Sequence, residues 1–187
     1  MKKIISNFVV SFLLAFPALS TPLLTEKFTW ENIEVTFVED NKLPVYNVRF
    51  YFADGAASDS KYKSGETKMT FNMLTSGTRR FNQREISDNL EFYGASFGFN
   101  VTHEYVIGGV SGLVKDIVPT MKQVCHLFDD SNFPSREIKK IKKLKLESLK
   151  SMVNSHDSIA DRAFRELSMK NSDVALPVDG KIKTISK

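Results

Sequence analysis

The chain has 187 residues, enough for one domain of ordinary size, and its 42% hydrophobic content with 15 phenylalanines can build a sizeable core. The 26% content of charged residues is ordinary for a globular protein, which excludes disorder over most of the chain. The formal net charge is only +4, which is modest for a chain of this length.

The first 20 residues have the three-part layout of a secretory signal peptide. Lys2 and Lys3 form a positive start, residues 4–16 are almost wholly apolar, and Ala18 and Ser20 offer small residues before a cleavage site. A transmembrane anchor is the alternative, but the apolar run is shorter than the roughly 20 residues that a spanning helix needs. We therefore expect a cleaved signal and an exported, periplasmic chain with no later membrane span.

Removal of this signal takes away two lysines and no acid, so the formal net charge falls from +4 to +2. The remaining chain is nearly balanced, which argues against a polyanionic partner such as nucleic acid. The single cysteine, Cys125, cannot form an internal disulfide, and an exported chain without disulfides fits a periplasm. Because Cys125 lies in an apolar helical pattern, we expect it to be a small core residue.

Two strands are predicted before the first helix. Residues 33–37 alternate apolar and polar side chains, which is the pattern of a half-buried strand. Residues 43–53 are rich in β-branched and aromatic residues on both faces, which predicts a central strand. A polar loop then leads to a helix predicted over residues 65–76, with Gly77 as its C-terminal stop.

The rest of the chain continues with helices around one pair of strands. The predicted elements are a helix over 83–93, strands over 96–102 and 105–113, and helices over 117–128, from Ser135 to about Val153, and from Asp157 or Ser158 to Met169. The tail, residues 171–187, is predicted as loop with at most a short strand. The order ββααββααα lacks strict βαβ alternation, so we expect the α+β class, an antiparallel sheet with helices packed on one face.

Several short sequences occur in a characteristic order and spacing. They are Asp54-Gly55-Ala56, Gly65, Met73-Leu74 with Gly77-Thr78, Leu90-Glu91 with Gly94-Ala95, Tyr105 and Phe133. Together they resemble the N-terminal lobe of the insulinase/pitrilysin zinc peptidases, which include mitochondrial processing peptidase. The resemblance covers roughly residues 28–185 and implies a metallopeptidase-lobe-like fold of the LuxS/processing-peptidase type. It implies one lobe over residues 21–187, incomplete at its C-terminal end.

The working motif of that family is H-x-x-E-H, in which two histidines hold zinc and the glutamate acts as general base. Anchored on the glycines and Met73-Leu74 of the resemblance, the three motif columns fall on Lys68, Phe71 and Asn72. A protonated lysine has no lone pair for a metal, and phenylalanine can neither activate water nor move a proton. The resemblance therefore implies a degenerate motif with no catalytic residue.

The third zinc ligand of active relatives is a glutamate on a later helix. Its column falls at or beside Ser148, and Glu147 is the only nearby carboxylate. A shift of one residue in the alignment would restore Glu147, but nothing restores the other three positions. We therefore expect no metal ligand set and no zinc cofactor in this chain.

Active relatives carry Asn-Ala on the strand that pairs with substrate, and Gly98-Phe99 stands in that place here. Phe97, Phe99, Val101 and Tyr105 make an aromatic and apolar strand suited to main-chain pairing with an extended peptide. The alternative is that these side chains are packing residues. Glu104 either orients a peptide or is a solvated turn carboxylate.

The other polar candidates have simpler interpretations. His103, His126 and His156 match no metal motif, and we expect them in a turn, on a helix surface and in a loop. A run of lysines lies opposite the apolar side of the long predicted helix, which favours a solvated helix face over a nucleic-acid surface. These lysines are Lys139, Lys140, Lys142, Lys143 and Lys145.

The resemblance implies an exported, non-catalytic homologue of these peptidases, acting as a partner or substrate-holding subunit. An active zinc-bearing subunit would supply the metal, the base and the hydrolysis, and an extended peptide would be the ligand. Two alternatives stay open. One is a truncated or split-gene fragment without independent activity, which would depend on a chain supplying the second lobe. The other is a zinc endopeptidase despite the degenerate motif.

Overall fold

A computed structural model of the protein describes residues 24–186, and the predicted signal peptide, residues 1–20, lies outside them. The chain divides between Leu43 and Pro44 into two units, which are described separately. Within residues 24–186, every helix is too short or too polar to cross a membrane. The single lobe over residues 21–187 stays a prediction.

The first unit contains one antiparallel hairpin, made of β1 (Leu24–Trp30) and β2 (Ile33–Glu39). Its two-residue loop, Glu31 and Asn32, has positive φ at both positions, which is the geometry of a type I′ turn. Strand β2 was predicted, but β1 was not. Glu26, which lies opposite Phe37, breaks the apolar alternation of Leu24, Phe28 and Trp30 along β1.

The second unit is built on a three-stranded antiparallel sheet of order β3-β5-β4. Its strands are β3 (Val45–Phe52), β4 (Ser96–Val101) and β5 (Val106–Leu113). The prediction that β3 is central is wrong for this sheet, because β5 lies in the middle. The apolar residues on both faces of β3 misled the prediction, since Val45 and Tyr51 are exposed.

The described residues contain the five predicted helices in the predicted order, and a sixth lies in the tail that was predicted as loop. The six helices are α1 (Glu66–Leu74), α2 (Gln83–Phe92), α3 (Ile117–Asp129), α4 (Ser135–Ser151), α5 (His156–Ser168) and α6 (Ile182–Ile185). Asn82 and Glu85 form a reciprocal capping box at the start of α2. The tail contains a single 3₁₀ turn (Asp173–Ala175) and α6, and the short strand allowed for there is absent from residues 171–186.

The core lies between the sheet and the helices on one of its faces. Val106 and Val110 of β5 are completely buried, and four phenylalanine rings pack in front of them. Ring centroids in this cluster are 5.0–6.4 Å apart, a range in which tilted and edge-to-face pairs are favourable. The rings belong to Phe52, Phe71, Phe99 and Phe128. The predicted α+β class, with antiparallel strands and helices packed against them, is confirmed.

Candidate functional site

Helix α1 carries the three positions of the degenerate motif, and a buried carboxylate fixes where it begins. The Asp59 side chain accepts hydrogen bonds from the Gly65 N–H at 2.7 Å and from the Thr67 N–H at 3.0 Å. These two N–H groups belong to the first turn, whose donors have no partner within the helix. Asp59 thus caps α1 from the preceding loop and also accepts from the Thr67 hydroxyl.

The tail of the chain packs on this same end of α1. The Ser64 hydroxyl donates to the Pro177 carbonyl at 3.0 Å, and the Thr184 hydroxyl donates to the Ser64 carbonyl at 2.8 Å. Gly65, at φ +95°, lies so close to Gly180 that a Cβ there would sit 2.8 Å from its Cα. The first turn of α1 therefore lies against the tail, and its side chains meet residues from the end of the chain.

Lys68, in the column of the first histidine, forms an ion pair across this contact. Its Nζ lies 2.9 Å from Oδ1 of Asp179, and Lys145 of α4 donates to the same oxygen. Burial of Asp179 raises its pKa, but the hydrogen bonds and charges of Lys145 and Lys68 outweigh it, so the pKa lies below its usual value. Three separate segments are joined by this Lys–Asp–Lys cluster.

Phe71, in the column of the catalytic glutamate, belongs to the core. Its ring lies 5.2 Å from that of Phe52 and 5.0 Å from that of Phe99, measured between centroids. A glutamate with the same backbone would point a carboxylate into this aromatic cluster, where no polar partner is available among the packed residues. The side chain at position 71 therefore serves packing.

The remaining columns are on the surface. Asn72 is exposed, and so are Ser148 and Glu147 of α4, whose nearest charged partner is Lys143 at 4.0 Å. Residues 24–186 contain no group of three or more His, Cys, Asp or Glu side chains placed to hold a metal ion. Zinc does not fit this site, because a lysine, a phenylalanine and an asparagine stand where ligands and base would be required.

Strand β4 presents its large side chains to the helices. Phe97 and Phe99 contact each other and Phe128 of α3, and Val101 is buried. The packing alternative is therefore the one that the structure supports for these three side chains. β4 has β5 as its single strand partner among the described residues, so its other edge is free of strand pairing there, and we call it the open edge of β4.

The connection from β4 to β5 is a tight turn. The Thr102 N–H donates to the Tyr105 carbonyl at 2.9 Å, and the Tyr105 N–H donates back to the Thr102 hydroxyl at 3.1 Å. Tyr105 stacks against Tyr51 with centroids 5.5 Å apart, and Glu104 is exposed. His103 is in this turn as predicted, with Nε2 2.9 Å from the Leu176 carbonyl oxygen.

The face of the sheet away from the helices forms a shallow trough of about 290 Å³. One row across it consists of Arg49 on β3, Gly109 on β5 and Gly98 on β4, which are register partners. The neighbouring rows are uncharged, and they are polar except for Ile107 on β5 and the ring of its partner Tyr51 on β3. They contribute Asn47, Ser111 and Ser96 on one side and Asn100 on the other. The hydroxyls of Ser96 and Ser111 lie 2.9 Å apart.

Three expectations outside these sites are wrong. His156, expected in a loop, is the first residue of α5. Cys125 is exposed rather than in the core. The buried side chains of Val124 and Leu127 mark the inner side of α3, and Cys125 lies on another side of the helix.

Lys145 is not part of a solvated lysine face, since its side chain is 18% exposed and paired with Asp179. Lys140 and Lys143 of the same run also form ion pairs, but their side chains are 54% and 78% exposed.

Sequence reasoning missed the residues that secure α1. Asp59 and Asp179 come from segments that looked like loop, and neither belongs to a local motif with Lys68 or Thr67. The signal for Asp59 was a lone acid ahead of a helix start, and the one for Asp179 was an acid followed by Gly180. The signal for Asp59 does not identify its partners six and eight residues on, and the one for Asp179 does not identify a partner 34 residues away.

The sequence matches no protein-family model and no curated protein. In structure, the chain is similar to one described as a peptidase M16 inactive domain from Pseudomonas fluorescens, with TM-score 0.82 and 22% identity over 87% of this chain. It is also similar to a protease from Helicobacter pylori (TM-score 0.80, 14% identity, 88% coverage) and to an M16-like peptidase from Alicyclobacillus acidocaldarius (0.75, 13%, 91%). It spans 40%, 40% and 41% of those chains. The chain therefore has an M16-like peptidase fold.

Proposed function

We propose that the chain is a non-catalytic M16-type lobe that holds an extended peptide for an active partner peptidase. The observation that carries this proposal is the use made of the motif positions on α1. The helix keeps its place on the sheet, while Lys68 is committed to an ion pair and Phe71 to the core. The description of the Pseudomonas fluorescens neighbour as an inactive domain agrees with it.

The open edge of β4 is the surface that we assign to the peptide. The Thr102 N–H donates to Tyr105 across the β4–β5 pair, and antiparallel strands alternate between inward and outward backbone groups. By that alternation the backbone groups of Val101, Phe99 and Phe97 face the open edge. An extended peptide added there would gain main-chain hydrogen bonds without any change in the aromatic core.

The location and the partner belong to the same proposal. The charged start, apolar run and small residues of the first 20 positions support export to a periplasm. The partner would be a zinc-bearing M16 peptidase that supplies metal, general base and hydrolysis. A second candidate is a lobe without independent activity that acts only with a second lobe. It is favoured because the chain spans 40% of the length of the Pseudomonas fluorescens neighbour.

Peptide binding, zinc content and hydrolysis of the purified chain test the proposal together. We expect fluorescein-labelled extended peptides to bind by anisotropy, with zinc far below one equivalent and no cleavage products by mass spectrometry. Two versions of a peptide should be compared, one N-methylated at its odd positions and one at its even positions. One should lose binding and the other should keep it, because only one set of N–H groups faces β4.

Each alternative has its own outcome in these measurements. Stoichiometric zinc with cleavage would establish a zinc endopeptidase and overturn the proposal. Absence of peptide binding, together with non-cooperative thermal unfolding, would favour the lobe that needs a second lobe. Recovery of binding after mixing with an H-x-x-E-H-bearing subunit, identified by mass spectrometry, would support the partner role.

A further inference from the structure

On the outer face of the sheet, the row that carries Arg49 has no other side chain between this arginine and the open edge of β4. Arg49, Gly109 and Gly98 are opposite one another on β3, β5 and β4, so two of the three positions in the row lack a side chain. Glycine in a strand weakens it, and it often marks a place where a ligand or another backbone approaches closely. Two glycines side by side therefore need an explanation other than stability.

The guanidinium of Arg49 is held over the first of these glycines. Its Nε donates to Oδ1 of Asn47 at 2.8 Å, and its Nη1 lies 3.2 Å from where a Cβ of Gly109 would be. Arg49 forms no ion pair with any of residues 24–186 that the structure describes. Its remaining N–H groups are thus free to bind a carboxylate.

Gly98 keeps the rest of the path open. No atom lies within 4 Å of the position that its Cβ would occupy, and its backbone is outside the left-handed region that requires glycine. Neither its conformation nor its packing therefore explains why position 98 lacks a side chain. What the glycine does is leave the edge of β4 uncovered beside the guanidinium.

The spacing of strands matches the reach of one acidic side chain. Neighbouring strands lie about 4.8 Å apart, so a peptide strand beside β4 would lie about 10 Å from the axis of β5, above which the guanidinium sits. A glutamate on the outer face of that peptide would extend over Gly98 and meet Arg49. Asn47, Ser96, Ser111 and Asn100 are uncharged and add no repulsion.

We propose that Arg49 is a specificity-determining residue that binds the carboxylate of an acidic side chain on an extended peptide paired with β4. The proposal rests on the peptide-holding function, because the carboxylate is delivered by a peptide on the β4 edge. It further requires the preference to alternate along the peptide, since successive side chains of a strand point to opposite faces.

The test is a set of C-terminally amidated Thr/Val peptides in which a single Glu, or Gln as its match, is moved one position at a time. With the purified chain we expect Glu to bind about fivefold more tightly than Gln at alternate positions, the size of a solvent-exposed ion pair. Arg49→Gln and Gly98→Val should both remove that preference while retaining binding of the Gln peptides. Arg84→Gln, an exposed arginine on α2, should retain it.

The outcomes separate the two proposals. Equal binding of Glu and Gln peptides by the unchanged chain would overturn the role of Arg49 and leave peptide holding intact. Absence of binding by any peptide of the set would overturn both. Retention of the preference in both variants would assign it to another cation, and a preference at every position would contradict the strand geometry.

Discussion

Lys68, Phe71 and Asn72 lie on successive turns of α1 but contribute to the fold in different ways. Lys68 places a half-buried positive charge beside Asp179, where it is compensated. Phe71 contributes apolar area and ring contacts to the core, whereas Asn72 is exposed. The free energy of unfolding should therefore respond very differently to substitutions at these three positions.

We expect Phe71→Glu to lower the free energy of unfolding by at least about 3 kcal/mol, because it removes a core ring and places a carboxylate in its site. Asn72→His, the matched change at an exposed position of α1, should alter it by less than about 0.5 kcal/mol. Urea denaturation followed by circular dichroism measures both. A smaller effect at position 71 than at position 72 would contradict the packing role of the ring.

Asp179→Asn should destabilise the protein by about 1 kcal/mol at neutral pH, since it leaves two lysines facing each other without a carboxylate. The folded-state pKa of Asp179 is lowered, so the contribution is fully present above the unfolded value of about 3.9. It is lost as the pH falls through the folded value.

The difference in stability between the unchanged chain and Asp179→Asn should therefore shrink as the pH is lowered below about 4. Urea denaturation at a series of pH values measures it. Asp129→Asn is a suitable control, because Asp129 is exposed at the end of α3 and forms no ion pair with another described residue. A difference that grew on acidification would rule out the lysine cluster as its cause.

At the level of elements, α1 depends on a cap from the preceding loop and on contacts with the tail, which is distant in sequence. Its first turn is capped by Asp59, and the tail packs on it through Gly180 and Ile185. Isolated helices of nine residues are marginal in water, so most of the stability of α1 must come from this packing. The contacts at the start of the helix therefore stabilise α1 in addition to those of its buried face.

Gly65→Ala should be more destabilising than Gly94→Ala, although both glycines have φ in the left-handed region. A Cβ at position 65 would lie 2.8 Å from Gly180 Cα, whereas a Cβ at position 94 would have no atom within 4 Å. We expect losses of roughly 1 kcal/mol at position 94 and at least roughly 2 kcal/mol at position 65 in thermal or urea unfolding. Equal losses would show that the tail does not pack tightly on α1.

The sequence was a good guide to elements whose signal is local. The periodicity of α2, α3 and α4 predicted these helices to within a few residues. Strand β1 was missed because Glu26 interrupts its apolar alternation. The absence of H-x-x-E-H at positions 68, 71 and 72 is readable because that motif is a local pattern, but the partners of Lys68 are not, since Asp179 is brought to it by the fold.

For the molecule as a whole, the absence of a ligand set on α1 has a thermodynamic consequence. A metal that binds the folded state alone raises the midpoint of thermal unfolding in proportion to the logarithm of its concentration. We expect neither zinc nor a chelator to shift the midpoint for this chain, because the motif positions offer no ligands. A reproducible rise with zinc at micromolar concentrations would locate a metal site elsewhere in the chain.

Cys125 is exposed on α3, and it is the single cysteine of the whole sequence. A maleimide dye therefore attaches at one known position without mutagenesis, and the helix that carries it packs against the sheet that we assign to peptide holding. The same thiol can join two chains through a disulfide in an oxidising medium. Purification without a reductant would then yield covalent dimers that reflect the chemistry of one side chain rather than an assembly.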